Sequence, residues 1–123
     1  MKESYIVKAI LKHLKRVPGC FCWKEHGGMY GTAGIPDIIA CIGGRFFALE
    51  VKTESGRATK LQEATIRKIL AAGGIASVVR SVAEVQAVIE DALHRDKNCK
   101  GTIYKKEEIP DELDERNGCN TAV

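Results

Sequence analysis

Apolar positions along the chain follow two periods, helical and alternating, and the switches between them mark out seven elements. Ile6, Val7, Ile10, Leu11 and Leu14 recur at helical spacing, with Lys8, Lys12, Lys15 and Arg16 on the other side, which predicts a helix over 4–16. Pro18-Gly19 stops it. Phe21-Cys22-Trp23-Lys24 reads as a short strand, with Trp23 assigned to the core in preference to an exposed stacking platform. A loop carrying Gly27, Gly28, Gly31 and Gly34 follows. Two apolar runs, about 37–42 and 45–52, then flank Gly43-Gly44, a pair suited to the positive φ angles of a tight hairpin turn. Thr59-Lys60-Leu61-Gln62 has the form of a capping box and opens a helix over roughly 60–72, which Gly73-Gly74 ends. Ile75 to Arg80 is a β-branched strand. Ser81 and Glu84 form a second capping box, before a helix with the apolar stripe Val82, Val85, Ile89 and Ala92.

The order is thus α-β-β-β-α-β-α. A meander of three strands followed by a helical crossover to a fourth predicts an α/β domain with a mixed sheet flanked by helices. Residues 1–94 form the predicted domain. Residues 95–123 read as a polar tail whose stretch 107–115 holds six acids and no base. Within the tail, Thr102-Ile103-Tyr104 is a candidate short strand and dimerisation element.

Composition narrows the class. The 123 residues suffice for one compact domain, with 45% apolar and 28% charged residues. No apolar run approaches a membrane span, and the polar amphipathic N-terminus is not a signal peptide, so the expected location is cytoplasmic. The five cysteines lack zinc-ligand spacing and read as free thiols. Residues 1–94 carry 13 Lys and Arg against 9 Asp and Glu, a mildly basic balance that suits a polyanionic partner.

The chemistry concentrates in the hairpin. If Gly43-Gly44 is the whole loop, Ile42 faces Arg45, and Asp37 faces Glu50. Lys52 lies two residues beyond Glu50 and projects from the same side of the sheet. Like charges directly opposite destabilise a sheet. A hard divalent cation between the two carboxylates reverses that sign, because Mg²⁺ and Mn²⁺ prefer oxygen ligands. The ammonium of Lys52 at the same edge would polarise a water or stabilise a developing oxyanion.

Gly34-x-Pro36-Asp37, then Glu50-x-Lys52, then Gln62 opening a helix, resembles the PD-(D/E)xK nuclease superfamily, and within it the virus-type replication-repair nuclease (VRR-NUC) domain, over about residues 1–93. The resemblance implies a restriction-endonuclease-like core that cuts DNA phosphodiesters with Mg²⁺ or Mn²⁺. It implies Asp37, Glu50 and the Val51 carbonyl as metal ligands, and Lys52 as the group that orients or activates the attacking water. By the same resemblance Gln62 reaches back from its helix toward the site, and Glu3 is the further acid on the first helix. Glu3 shares a helix face with Val7, Ile10 and Leu14. Each of the last two has an ordinary alternative: Gln62 as the partner of Thr59 in its capping box, and Glu3 as a favourable charge at the positive end of a helix.

Lys24, His26 and Tyr30, around the glycine loop, are candidate DNA contacts. The expected function is a metal-dependent, structure-specific DNA endonuclease. Stand-alone members of the family resemble Holliday-junction resolvases, and a small domain with one site cuts two strands most simply as a C2 homodimer. A flap or nicking nuclease of phage or plasmid replication is the enzymatic alternative, and a non-catalytic DNA-binding module on the same fold is the other.

Overall fold

The structure, a computed structural model, describes residues 1–26, 31 and 33–95. The element order is α1 (Glu3–Leu14), β1 (Cys20–Lys24), β2 (Ile38–Ile42), β3 (Arg45–Val51), α2 (Lys60–Ala71), β4 (Ile75–Val79) and α3 (Val82–Arg95). The strands form one mixed sheet in the order β1-β2-β3-β4, antiparallel except for the parallel pair β3–β4. This is the expected α/β arrangement of a restriction-endonuclease-like core, and the elements differ from their predicted spans by a residue or two. The tail, with Thr102-Ile103-Tyr104, and the loop residue Tyr30 lie outside the described residues.

The two faces of the sheet are filled differently. On one, α1 and α3 bury the main core, in which Ile10, Leu14, Phe47, Val79 and Val85 are fully enclosed. The helical stripe of α1 and the inward positions of β2, β3 and β4 meet there. On the other face α2 packs on β4 and β3 over a small cluster of Ile39, Ala48 and Ala76.

The hairpin register follows from its turn. Gly43 and Gly44 take φ of +58° and +84°, the left-handed pair that a two-residue turn of this hand requires. Ile42 accordingly faces Arg45, and Ile38 faces Leu49. One step further along the same register sets Asp37 opposite Glu50.

Trp23 departs from expectation: it is 44% exposed, and Phe21 is 70% exposed. The alternation of β1 sends Cys20 and Cys22 to the main core instead. Phe21 and Trp23 point to the α2 side, where α2 covers β3 and β4 and leaves the β1 end of the sheet open. Among the described residues no helix is long and apolar enough to cross a membrane.

Candidate metal centre

Asp37 enters the sheet under constraint. Gly34 has φ of +81°, and a Cβ there would meet Leu61 Cγ and Thr65 Oγ1 of α2 at 2.9 Å each, so only glycine lets this loop press against the helix. Pro36 is fully buried. On the far side the Asp37 carbonyl accepts a 2.8 Å hydrogen bond from the Glu25 N–H, extending the β1–β2 ladder to this residue. The Asp37 carboxylate then does what a main-chain acceptor does elsewhere in the ladder: Oδ2 accepts from the Val51 N–H at 2.8 Å. The N–H and C=O of one strand residue point toward the same neighbour, so the Val51 carbonyl is aimed to the Asp37 side as well.

Glu50 comes from the middle of the sheet, beside Val78 of β4, and is only 2% exposed. Its two oxygens have different surroundings. Oε1 accepts from Gln62 Nε2 at 2.9 Å and lies 3.6 Å from Lys52 Nζ. Oε2 is buried without a hydrogen-bond partner. The Glu50 carboxyl is pushed up from 4.5 to about 7: burial contributes most, repulsion by and hydrogen bonding with Asp37 and the charge of Glu3 add to the rise, and Lys52 opposes it. Two ionised carboxylates are both acceptors, so neither can satisfy the other until a proton or a cation lies between them.

Gln62 serves both alternatives at once. Its main-chain N–H donates to Thr59 Oγ1 at 3.1 Å, and its Oε1 accepts from the Thr59 N–H at 2.9 Å, a complete capping box. The same amide group sends its Nε2 to Glu50. The start of α2 is thereby tied to the carboxylate, and the cap that opens the helix also fixes the orientation of Glu50. At α3 the second box is only half of the expected form: Ser81 Oγ accepts from the Glu84 N–H, but the Glu84 carboxylate accepts from the N–H of Arg80, one residue before the cap.

Lys52 follows the last residue of β3, and its N–H continues the parallel ladder to the Val79 carbonyl at 3.0 Å. The loop after it is held by Arg80 Nη2, which donates to the Gly56 carbonyl at 2.8 Å. Asp37, Glu50, Lys52 and Gln62 thus meet at the ends of β2 and β3, on the α2 side. Glu3 stands at the exposed start of α1, and its charge reaches Glu50. Among the described residues no group of three or more His, Cys, Asp and Glu gathers at ligand distance, so the side-chain acids of the centre are the pair Asp37 and Glu50. Lys24 and His26 are exposed at the end of β1 and just beyond it.

Two features escaped the sequence reading. Glu25 connects β1 to Asp37 through its N–H and holds the Trp23 indole, whose Nε1 donates to Glu25 Oε2 at 2.9 Å. The exposed aromatics of β1 were the other. Alternation within Cys20–Lys24 shows that two residue pairs face opposite ways, but not which pair faces the core.

A comparison with curated proteins finds no significant match. Several solved structures share the fold, two of which illustrate it. A "VRR_NUC domain" has a TM-score of 0.61 at 23% identity, covering 72% of this chain and 94% of that one. A "VRR_NUC domain protein" has a TM-score of 0.63 at 22% identity, covering 76% and 89%. The resemblance to the VRR-NUC fold therefore holds in three dimensions. Residues 25–106 match the family described as "Archaeal holliday junction resolvase (hjc)", a family of the same nuclease superfamily, and the match includes Asp37, Glu50, Lys52 and Gln62. With that match over most of its length and a nuclease fold to carry it, the chain belongs to the archaeal Holliday junction resolvase (Hjc) family.

Proposed function

We propose that this protein is a divalent-metal-dependent DNA endonuclease that hydrolyses phosphodiester bonds in branched DNA, four-way junctions first, and works as a homodimer. The buried, unpartnered Oε2 of Glu50 beside the Asp37 carboxylate carries the reading. An orphaned carboxylate oxygen costs free energy in any purely structural role, and it fits a hard cation that prefers oxygen donors. Asp37, Glu50 and the Val51 carbonyl are an all-oxygen set that would hold Mg²⁺ or Mn²⁺. When bound, such an ion supplies charge neutralisation on the scissile phosphate and lowers the pKa of a water.

The chain's own groups divide the remaining work. Gln62 and Lys52 occupy Oε1 of Glu50, which fixes the carboxylate plane and leaves Oε2 for a ligand. Lys52 acts as an electrostatic positioner: its ammonium orients the attacking water and stabilises charge that builds on the phosphoryl oxygens. Glu3, at the exposed start of α1, would offer a second cation a further acid. Lys24, His26 and Tyr30 contact the DNA backbone on the approach to Asp37.

Branched DNA as substrate is supported by the resolvase family, and dimerisation by the geometry of the task. Two symmetric cuts need two sites, and a C2 pair presents them with opposite polarity. The assay is cleavage of duplex, single-stranded, flap and four-way-junction DNA with Mg²⁺, Mn²⁺ or EDTA, alongside light scattering at micromolar protein. We expect junction cleavage near the crossover, with either metal only, by a dimer. Activity that persists in EDTA would overturn the metal centre. A monomer that cuts flaps and ignores junctions would overturn the substrate assignment and leave the centre standing.

A further inference from the structure

The open part of the α2-side face presents an aromatic pair. Phe21 and Trp23, two residues apart on β1, project from one face with ring centroids 5.7 Å apart and planes inclined by 55°. Both are exposed, at 70% and 44%. The Trp23 indole is held: its N–H donates to Glu25 Oε2 at 2.9 Å. A large aromatic side chain fixed in orientation with an open ring face is prepared for stacking rather than for burial within the fold.

The position of the pair ties it to the metal centre. Trp23 faces Ile39, which is two residues from Asp37 on the same side of β2. By strand spacings the Cα atoms of Trp23 and Asp37 are then roughly 8–9 Å apart, one strand over and two residues along. Glu25 joins the two directly, through its main-chain N–H to the Asp37 carbonyl and its carboxylate to the indole. The aromatic surface is thus continuous with the carboxylate site, on the same face of the sheet.

We infer that Trp23 and Phe21 form a stacking platform for an unpaired nucleobase next to the phosphate that the Asp37–Glu50 centre acts on. The inference rests on the nuclease reading of that centre. A duplex interior offers no free base face, whereas a branch point or an unpaired end does, and base–aromatic stacking is indifferent to sequence. The indole itself offers a neutral ring face, with its N–H already donated to Glu25, so what it can add is stacking with a base. The platform would therefore contribute discrimination between branched and paired DNA, which two carboxylates and a lysine cannot read.

Trp23 is the single tryptophan of the chain, so its emission reports on this site alone. Wild-type protein is titrated in Ca²⁺ or EDTA with a four-way junction carrying an unpaired nucleotide at the crossover, and with matched duplex. Anisotropy of labelled DNA follows binding independently. We expect quenching with the junction at saturation, and little with duplex. Trp23→Ala should weaken junction binding by about 5- to 150-fold, the equivalent of one lost base stack, and leave duplex binding unchanged. Trp23→Phe should restore most of it, and Phe21→Ala, at a more exposed position, should lose part.

Bound junction with unaltered Trp23 emission would overturn the inference. So would emission that shifts on dilution without DNA, which would mean that a second copy of the chain covers the face. If Trp23→Ala fails to fold, the wild-type titration and Phe21→Ala still decide. Loss of cleavage with every metal would strike the nuclease reading and leave the quenching result intact, so the two failures are distinguishable.

Discussion

The two faces of the sheet are built for different ends. Among the described residues, the α1–α3 face encloses fourteen buried side chains in one apolar cluster, and Ile10, Leu14, Phe47 and Val79 are sealed from solvent. The α2 face buries three, keeps a carboxylate 2% exposed with an unpartnered oxygen, and leaves Phe21, Trp23 and Phe46 open. One hairpin supplies both: along β3, Phe47, Leu49 and Val51 point to the first face, and Glu50 points to the second. Stability is concentrated where burial is complete, and strain is tolerated on the other side because the dry core holds the backbone in place.

Glu50→Gln should lower cleavage by more than about a hundredfold, since loss of a ligand should exceed the 10- to 100-fold typical for residues that merely orient one. Its fold should stay intact by circular dichroism. Gln62→Leu, which keeps the Thr59 side-chain cap on the main-chain N–H of residue 62 but removes the amide from Oε1 of Glu50, should fall within that 10- to 100-fold range. A Gln62→Leu protein as active as wild type would show that the tie to Glu50 is structural only.

Leu14→Ala tests the opposite face. Leu14 is fully buried in the main core, and its truncation should cost roughly 3–5 kcal/mol in denaturant unfolding. Specific activity per folded molecule should be preserved. Unchanged stability in Leu14→Ala would mean that the stabilising core is not where the burial places it.

The third test is pH. The Glu50 carboxyl is raised from 4.5 to about 7, so the folded protein binds this proton more tightly than the unfolded chain. That stabilisation is complete below pH 4.5 and is lost as pH climbs through 7. In EDTA, wild type should lose stability progressively between pH 5 and 8 from this group. Glu50→Gln should flatten that dependence, and saturating Mg²⁺ should offset it by mass action at high pH. Parallel pH profiles for the two proteins would remove Glu50 as the source of strain.

The smallest effect is expected at the cap. Thr59→Ala removes the acceptor of the Gln62 N–H and should cost about 1 kcal/mol of stability. Gln62 then loses one of its three hydrogen bonds and keeps those of its side chain to the Thr59 N–H and to Glu50, so cleavage should drop by a few-fold at most. Thermal melts and initial rates on the same preparation measure both.

Much of the fold and of the centre was legible in the chain, for local reasons. A two-glycine turn fixes a hairpin register, and that register alone sets Asp37 against Glu50 with Lys52 on the same side. The capping box at Thr59 and Gln62, and the apolar stripe of α1, are set by neighbours three and four residues away, and both formed as expected. Features that depend on distant elements were not legible. Whether Trp23 or Cys22 faces inward depends on where α2 lies over the sheet, and no period within β1 carries that information.

The order of elements, the hairpin register and the acids brought to one edge are local properties of the chain, because turns, caps and periodicities act over a few residues. Three further features arise when the elements pack together. Glu50, rather than Asp37, is the deeply buried acid, because β4 flanks it. Gln62 caps a helix and grips that acid with one side chain, because the crossover delivers the start of α2 to the end of β3. The aromatics of β1 stay open beside the centre, because one helix covers two strands of four. Burial and long-range contact are properties of the assembled sheet, and pairs as far apart in the chain as Glu50 and Val78 meet only once it has formed.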